Sequence, residues 1–573
     1  MVKSTITNGE IYNHREIRKQ LEDSGITFRG HSDTEVLLRL LEKEGLEALP
    51  RLNGIFSFAL IDRETGCLTL VRDHFGVKPV YYASLPSGFY FCSEIKGLIK
   101  LDIDVSKIDP ASIDRYFSYL WCPGAGTPAI NIRMLGPGEA ITVSSGKITR
   151  HWRWYASPAL RPKATTSDQD EAIRLTEKHL RTAVHRQMVA DVPVGAFLSG
   201  GLDSSSVVAF AREINPEISC FSIEVPGGQE RGFVDDLPYA RRAADHLGVP
   251  LDVVQIDSKT MAHDLEKLVY QLDEPLADPA SLNVLYISQL ARSRGIKVLL
   301  SGAGGDDLFT GYRRHRAIQA DPYWRWLPKP LLAASEKASA KLNQRHPLFR
   351  RIAKLLDGAA LSRDDRLVNY LAWTKRSDLQ AFYTPDFLAQ LEGVRTAEPF
   401  HEYLAEMDQN SAAIDRMLAL EQRFFLTDHN LVYTDKMSMA AGVEVRVPFL
   451  DIDLVEFAAT IPHRFKQKGA EGKWILKKAM EPHLPHDLIY RPKSGFGAPL
   501  RHWIRNELRE FFADVLSEDK LRNRGIFDPA AIRQLMDDNI AGKRDGSYTL
   551  LSVLCIELWC QRFLTAEPKT QTV

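Results

Sequence analysis

The pattern of hydrophobic and polar positions differs between the two halves of the chain. From residue 1 to about residue 155, short apolar runs alternate with turn residues, which predicts an antiparallel α+β domain. A polar, proline-bearing stretch from Ser157 to Asp170 predicts a linker. The first runs are GIFSFALID, CLTLVRD, VYYASL, GFYFCSEI and EAITVSSGKITRHW.

After the linker, helical patterns alternate with short apolar strands. This alternation predicts βαβ units and a parallel sheet, with ligands beyond the carboxyl ends of its strands. From about residue 315 onward the pattern is almost wholly helical. The expected fold is therefore an α+β domain, then an α/β parallel-sheet domain with a helical C-terminal part.

Composition narrows the functional classes. The 573 residues carry a formal net charge of −1, which argues against a generic nucleic-acid or membrane surface. The chain shows neither a signal peptide nor an apolar run of the roughly 18 residues that a membrane helix needs. The basic stretch KPLLAASEKASAKLNQRHPLFRRIAKLL favours solvated helix faces over RNA binding.

Cysteine usage points to a reducing compartment. The six cysteines are scattered and mostly lie in apolar runs, so we expect reduced thiols in a cytoplasmic protein. Neither HExxH nor CxxC occurs, and we therefore expect no dedicated zinc site.

The stretch VPVGAFLSGGLDSSSVVAFAREI predicts a buried strand, a glycine turn and a helix. Small residues let a backbone approach an anion closely, and the helix N-terminus adds partial positive charge. No Walker A pattern occurs in the chain. The candidate phosphate-binding residues are Ser199, Gly200, Gly201, Ser204 and Ser205.

Carboxylates accompany this loop. Asp203 would repel a bare phosphate, so its position implies a bridging divalent cation, Mg²⁺ by preference. A second strand–turn–helix stretch, IKVLLSGAGGDDLFTGYRRH, carries Asp306 and Asp307. Parallel strands would bring both turns to one sheet edge and place Asp203 and Asp306 at one metal–phosphate cluster. Asp307 is explained equally well in another way, as a negative charge that stabilises the N-terminus of the following helix.

Together with DKMSMAAGVEVRVPFLD, these two loops resemble the glutamine-dependent asparagine synthetase family. The resemblance covers roughly Asp170 to Leu564 and implies an ATP-pyrophosphatase (PP-loop) domain over 170–564, with a tail at 565–573. It implies that a carboxylate attacks ATP, giving an acyl-adenylate and pyrophosphate, and that ammonia then forms an amide. ATP and Mg²⁺ are the expected cofactors, and aspartate is the expected substrate.

The resemblance also assigns individual positions. The backbone near Leu198 and Ile223 would hold adenine and ribose, and Ser301 and Gly302 would line the AMP pocket. Lys473 and Lys493 would meet phosphate oxygens. We expect Glu444, Arg446 and Asp451 to form a structural ion network.

One position departs from the family pattern. Asparagine-forming members often carry an acidic residue at the third position of the second loop, where this chain has Ala303. A methyl group cannot accept a proton from the attacking amine. The carboxylate therefore remains open between aspartate and another acid, such as a sugar uronate in surface-polysaccharide assembly. A tRNA-modifying enzyme lacks support from a basic face or catalytic cysteine pair, and a non-catalytic scaffold would not need Asp203, Asp306 and Lys493 together.

The first 156 residues resemble the family's glutaminase domain, which has an N-terminal-nucleophile hydrolase fold, and residues 157–169 are the expected linker. The resemblance assigns Asn8, Gly9, Glu10 and Asp33 to glutamine binding.

The family nucleophile is an N-terminal cysteine, whereas this chain begins Met-Val-Lys and has its first cysteine at Cys67. As written, we expect no glutamine hydrolysis. A start assigned too late or a shortened chain is favoured over an enzyme that uses free ammonia, because the glutamine-binding positions are retained. The expected partners are small molecules and, in a homodimer, a second copy of the chain, with neither nucleic acid nor membrane.

Overall fold

The computed structural model describes residues 3–101, 103, 107–161, 165–224, 236–340, 349, 353, 356–374, 376–492 and 499–564. Among them, no helix is both long enough and apolar enough to span a membrane. All six cysteines are free thiols. Four of them are buried as expected, whereas Cys67 and Cys92 are half-buried. Cys67 directly precedes a strand rather than lying within it.

The N-terminal part is built on two antiparallel sheets, as its alternating pattern predicts. The larger sheet has the order β1-β2-β3-β7-β8, and the smaller has the order β5-β4-β6. The strands are β1 Lys3–Ile11, β2 Gly54–Asp62, β3 Leu68–Arg72, β4 Tyr81–Leu85, β5 Gly88–Cys92, β6 Arg133–Met134, β7 Glu139–Ser144 and β8 Lys147–Arg153. The α-helices are His14–Asp23, Asp33–Glu44, Ile95–Ile99 and Pro110–Tyr119.

A parallel sheet organises the second part, which confirms the predicted α/β class. Its order is β11-β10-β9-β12-β13, and each described pairing is parallel. Strand β13 lies within the segment that the sequence pattern left almost wholly helical. The strands are β9 Val194–Phe197, β10 Cys220–Glu224, β11 Leu251–Gln255, β12 Val298–Leu300 and β13 Glu444–Arg446.

Helices surround this sheet and form the C-terminal part. Those flanking the sheet are Gln169–Gln187, Leu202–Ile214, Leu237–Leu247, Ser258–His263, Leu265–Leu272, Ala280–Ser293 and Gly305–Phe309. Further along are Arg313–Ala320, Lys329–Ala340, Arg363–Asn369, Arg376–Leu379, Pro385–Gln390, Glu398–Glu406, Ala413–Leu420, Val432–Ala440, Ile452–Thr460, His463–Lys466, Trp474–Met480, His486–Ile489, Leu500–Arg505, Arg509–Val515, Glu518–Arg524, Pro529–Ile540 and Ser547–Phe563. A π-helix spans Glu421–Leu431.

The two parts share apolar cores and buried polar contacts. Ile55 and Phe75 pack in one cluster with residues of the parallel-sheet part such as Leu198. The buried ion pair between Lys78 and Asp435 joins the parts at 2.8 Å. Burial alone would lower the pKa of Lys78, but Asp435 and Glu444 outweigh that effect and raise it. The interface therefore holds the two parts in one defined arrangement.

Candidate active site

The first loop joins the end of β9 to the helix Leu202–Ile214. Gly200 adopts the left-handed region at φ 67°, and a Cβ there would lie 2.2 Å from the backbone carbon of Tyr239. Only glycine fits this close backbone approach. The Ser199 and Ser204 hydroxyl oxygens lie 3.1 Å apart, and Ser204 Oγ also accepts from the Ser199 N–H. The turn thus presents the first N–H groups of the helix beyond the sheet edge.

The second loop touches the first. Strand β12 runs parallel to β9, so both turns follow the carboxyl ends of neighbouring strands. A Cβ on Gly302 would lie 2.7 Å from the Ser204 nitrogen, and one on Gly305 would lie 2.6 Å from the Asp203 carboxyl carbon. Both contacts are too close for a real side chain. Glycines are therefore what allow the two loops to pack together.

Lys473 joins the carboxylates of both loops. Its ammonium lies 2.5 Å from Asp306 Oδ1 and also pairs with Asp203. Only 9 % of Lys473 is exposed. Burial would lower the pKa of this lysine, but Asp203 and Asp306 outweigh burial and raise it, so its ammonium stays charged. The backbone supports this position, because the Lys473 N–H donates to the Phe309 carbonyl at 2.9 Å.

The carboxylate pair fits a divalent cation. Two carboxylates and one ammonium leave an excess negative charge, and oxygen donors from one or two carboxylates are what Mg²⁺ prefers beside phosphates. A Cβ on Gly311 would lie 1.6 Å from Asp306 Oδ1. The Asp306 carboxylate therefore fits only because residue 311 is glycine. The described residues contain no cluster of three or more His, Cys, Asp or Glu suited to a metal. Phosphate and water would have to complete the coordination.

The predicted nucleotide-binding positions lie at the same edge. The Leu198 N–H donates to the Phe221 carbonyl at 2.9 Å, which places Leu198 beside the end of β10 that carries Ile223. The Ser301 N–H donates to the Arg446 carbonyl at 2.8 Å. Ser205 is fully buried, and its hydroxyl has no hydrogen-bond partner among the described residues. Lys493 lies outside those residues.

Sequence reasoning missed Arg491, which supports the first loop. Its guanidinium donates to the Gly200 carbonyl at 3.2 Å and pairs with Asp236. It also lies over the Tyr239 ring, 4.2 Å from the centroid. The only sequence feature that could have pointed to Arg491 is its position two residues before Lys493. A single arginine at such a position does not by itself indicate a role in the site.

The predicted glutamine-binding residues lie on β1 and at the start of the second helix after it, Asp33–Glu44. Gly9 has φ 123°, and a Cβ there would lie 2.0 Å from the Ile55 carbonyl oxygen. Asn8 and Glu10 flank it on the same strand. Asp33 Oδ2 accepts from the Ile11 N–H at 3.0 Å. Ser32, not Asp33, caps the helix, which leaves Asp33 facing β1.

Glu10 also reaches the second part of the molecule. Burial raises its pKa to about 7, Asp33 adds to the rise, and Arg446 opposes it. Two different nitrogens of the Arg446 guanidinium make these contacts: one lies 3.5 Å from Glu10, and Nε lies 2.8 Å from Glu444. Asp451 pairs instead with Arg186, at 2.7 Å. The expected network of Glu444, Arg446 and Asp451 is thus two separate groups of contacts.

Comparisons with known proteins identify the chain's family. A family model described as asparagine synthase matches residues 175–561, and one described as a glutamine amidotransferase domain matches residues 2–155. This chain belongs to the asparagine synthase family. It is accordingly a ligase.

Named relatives of the asparagine synthase family cover nearly the whole chain. Asparagine synthetase [glutamine-hydrolyzing] 1 of Bacillus subtilis (strain 168) is 32% identical over 97% of this chain and 84% of the relative. A putative asparagine synthetase of Mycobacterium tuberculosis H37Rv is 32% identical over 97% of this chain and 83% of the relative. A solved allosteric regulatory enzyme of purine biosynthesis matches with 15% identity and a TM-score of 0.22, covering 45% of this chain and 60% of that one.

Within this asparagine synthase member, Ala303 follows Gly302 at the rim of the second loop. Its N–H donates to Ser301 Oγ at 3.2 Å, and its half-buried methyl packs against the apolar cluster that contains Leu450. The side chain therefore supplies neither charge nor a hydrogen bond to a substrate. Any acid–base group that serves this site must come from another element.

Proposed function

We propose that this chain converts aspartate to asparagine, with ATP cleaved to AMP and pyrophosphate. Membership of the asparagine synthase family supports ATP-dependent amidation as the reaction class. The observation that carries the proposal is the convergence of Asp203, Asp306 and Lys473 between two glycine turns at one sheet edge. This arrangement suits a triphosphate whose pyrophosphate must leave.

The proposed first step activates the carboxylate. A substrate carboxylate oxygen attacks the α-phosphorus of ATP, and pyrophosphate leaves with the electrons of the broken P–O bond. The N–H groups of the first loop and the Lys473 ammonium stabilise the charge that builds on pyrophosphate. Asp203 and Asp306 would hold Mg²⁺, which supplies further charge neutralisation when bound. Lys493 is proposed to meet the same phosphates.

The proposed second step uses ammonia, from glutamine or from solution. Asn8, Gly9, Glu10 and Asp33 are proposed to bind glutamine, and the two neighbouring carboxylates suit its α-amino group. Leu198, Ile223, Ser301 and Gly302 are proposed to hold the adenylate while the amine attacks its acyl carbon. The products are an amide and AMP.

The decisive test is pyrophosphate release by the full chain with Mg-ATP, ammonium and single candidate carboxylates. Release that depends on aspartate, with equal amounts of AMP and asparagine, supports the proposal. Asp203→Ala should abolish the release. Release with no carboxylate, or none with any, contradicts the proposal.

A second candidate follows from Ala303. The position lacks the acidic side chain expected for asparagine formation, which favours a differently shaped acid such as a sugar uronate. Release with a uronate but not with aspartate would select this candidate.

A homodimer and a cytoplasmic location remain parts of the proposal. Six free thiols and the use of ATP support that location.

A further inference from the structure

A buried histidine, His429, lies in the π-helix that packs against the second-loop helix Gly305–Phe309. His429 is 5 % exposed, and neither ring nitrogen has a hydrogen-bond partner among the described residues. Its Nε2 lies 3.1 Å from Asp278 Oδ2, close enough for an ion pair but without hydrogen-bond geometry. A buried imidazole normally satisfies both nitrogens. This one has proton-transfer capacity that the fold does not use.

Asp278 and His429 lie at the carboxyl edge of the parallel sheet, the edge that carries the two glycine turns. Asp278 directly precedes the helix Ala280–Ser293, which leads back to the start of β12. His429 lies within the π-helix Glu421–Leu431, which continues without a break into the helix Val432–Ala440 and so towards the start of β13. Helices that return to the start of a parallel strand begin at the carboxyl edge. Asp278 therefore lies at the same edge as the two glycine turns, and the 3.1 Å contact between His429 and Asp278 places His429 there as well.

Contacts with the second loop bring the pair closer. The π-helix Glu421–Leu431, which carries His429, packs against the helix Gly305–Phe309. Gln422 Nε2 donates to the Asp307 carbonyl at 3.0 Å. Burial raises the pKa of Tyr433, and Asp278 and Asp307 both add to the rise, so this phenol lies near both carboxylates.

The surroundings of His429 restrict what can reach it. Its ring stacks on Trp121 of the N-terminal part, with centroids 6.0 Å apart, and contacts Phe425 and Tyr433. The aromatic rings exclude bulk water on those sides, while Asp278 supplies the neighbouring charge. The histidine thus lies where the two parts of the molecule meet.

We propose that His429 accepts a proton from the attacking amine during amide formation, with Asp278 as the residue that positions it. The proposal rests on the proposed function and supplies the acid–base group that Ala303 cannot. Ammonia forms a C–N bond to the acyl carbon, and the carbonyl electrons move to oxygen. One proton passes from nitrogen to the imidazole. The carbonyl then re-forms as the C–O bond to AMP breaks, and AMP leaves with that electron pair.

The test separates activation from amide formation. The variant His429→Gln should keep carboxylate-dependent ATP–pyrophosphate exchange within about 3-fold of the original, because exchange needs no amine. Amide formation from ammonium should fall about 100-fold, within the usual contribution of a general base. His463→Gln is the matched control, because that half-exposed histidine also pairs with an aspartate, Asp415, at 3.2 Å. It should leave both rates unchanged.

Hydroxylamine provides a readout that a structural role would not move. It is largely unprotonated at neutral pH and reacts with acyl-adenylates without a base. In His429→Gln it should therefore form hydroxamate at close to the original rate. Asp278→Asn should lower amide formation by about 10-fold, with the same rescue.

Three outcomes overturn the inference: unchanged amide formation in His429→Gln, an equal fall in exchange and amide formation, or no rescue by hydroxylamine. If the unmodified chain shows no exchange with any carboxylate, the proposed function itself fails. That result is distinguishable, because it precedes any comparison of variants.

Discussion

The Lys473 ammonium lies 2.5 Å from Asp306 Oδ1 and also pairs with Asp203, which joins two loops that are far apart in the chain. The contact brings three charged side chains to the end of one parallel sheet. Each carboxylate approaches a glycine that could not carry a Cβ. Charge and backbone shape therefore act together at this site.

Asp203→Asn should remove one of the two carboxylates that pair with Lys473. Pyrophosphate release should fall at least 100-fold, because the proposed cation loses a ligand. Steady-state pyrophosphate release is the measurement. Asp307→Asn is the control, since the Asp307 carboxylate accepts a hydrogen bond from the Tyr312 hydroxyl at 3.3 Å. An equal loss in both variants would contradict the assignment of Asp203.

Gly302→Ala should force the two loops apart, because its Cβ would meet the Ser204 nitrogen at 2.7 Å and the Asp203 backbone carbon at 2.9 Å. Backbone atoms cannot rotate away as a side chain can. We expect at least a 10-fold fall in pyrophosphate release and a loss of about 1–3 kcal/mol in unfolding free energy. Gly30→Ala, which meets only a side-chain oxygen at 3.4 Å, should leave activity unchanged. Full activity in Gly302→Ala would show that the loops do not need this contact.

Glu10 should make stability depend on pH. Its pKa rises from 4.5 to about 7 in the folded chain, so the folded state binds more protons than the unfolded state between these values. Stability should therefore fall as pH rises from about 4.5 to 7. Glu10→Gln should flatten this part of the curve, measured by thermal unfolding at several pH values, whereas exposed Glu47→Gln should not. A curve unchanged in Glu10→Gln would rule out this source.

Removing only one partner of the buried Lys78–Asp435 ion pair should strongly lower the free energy of unfolding. Both residues are buried, so Lys78→Met leaves an unpaired carboxylate and should lower the unfolding free energy by about 3–5 kcal/mol. Replacing both partners with apolar residues should recover most of that loss. Denaturant unfolding measures each variant. Lys520→Met, which breaks the exposed Lys520–Asp514 pair, should change stability by at most about 1 kcal/mol. A similarly small loss in Lys78→Met would contradict the buried-pair argument.

The sequence by itself determined the class of fold and the location of its two glycine turns. Short apolar runs bounded by turn residues predicted strands such as Gly54–Asp62, and alternating helices and strands predicted the parallel sheet. These features are local, because strand and turn preferences depend on neighbouring residues. Strand β13 escaped prediction, because three residues amid helices show no period.

Only the tertiary structure decided which distant side chains share a site. It brought Lys473 to Asp203 and Asp306, placed Arg491 under the first loop and set Arg446 against Glu10. It also left His429 buried beside Asp278, with neither ring nitrogen hydrogen-bonded within the described part of the chain. Such pairings depend on packing between elements far apart in the chain, and local patterns of hydrophobic and polar residues do not encode those distances.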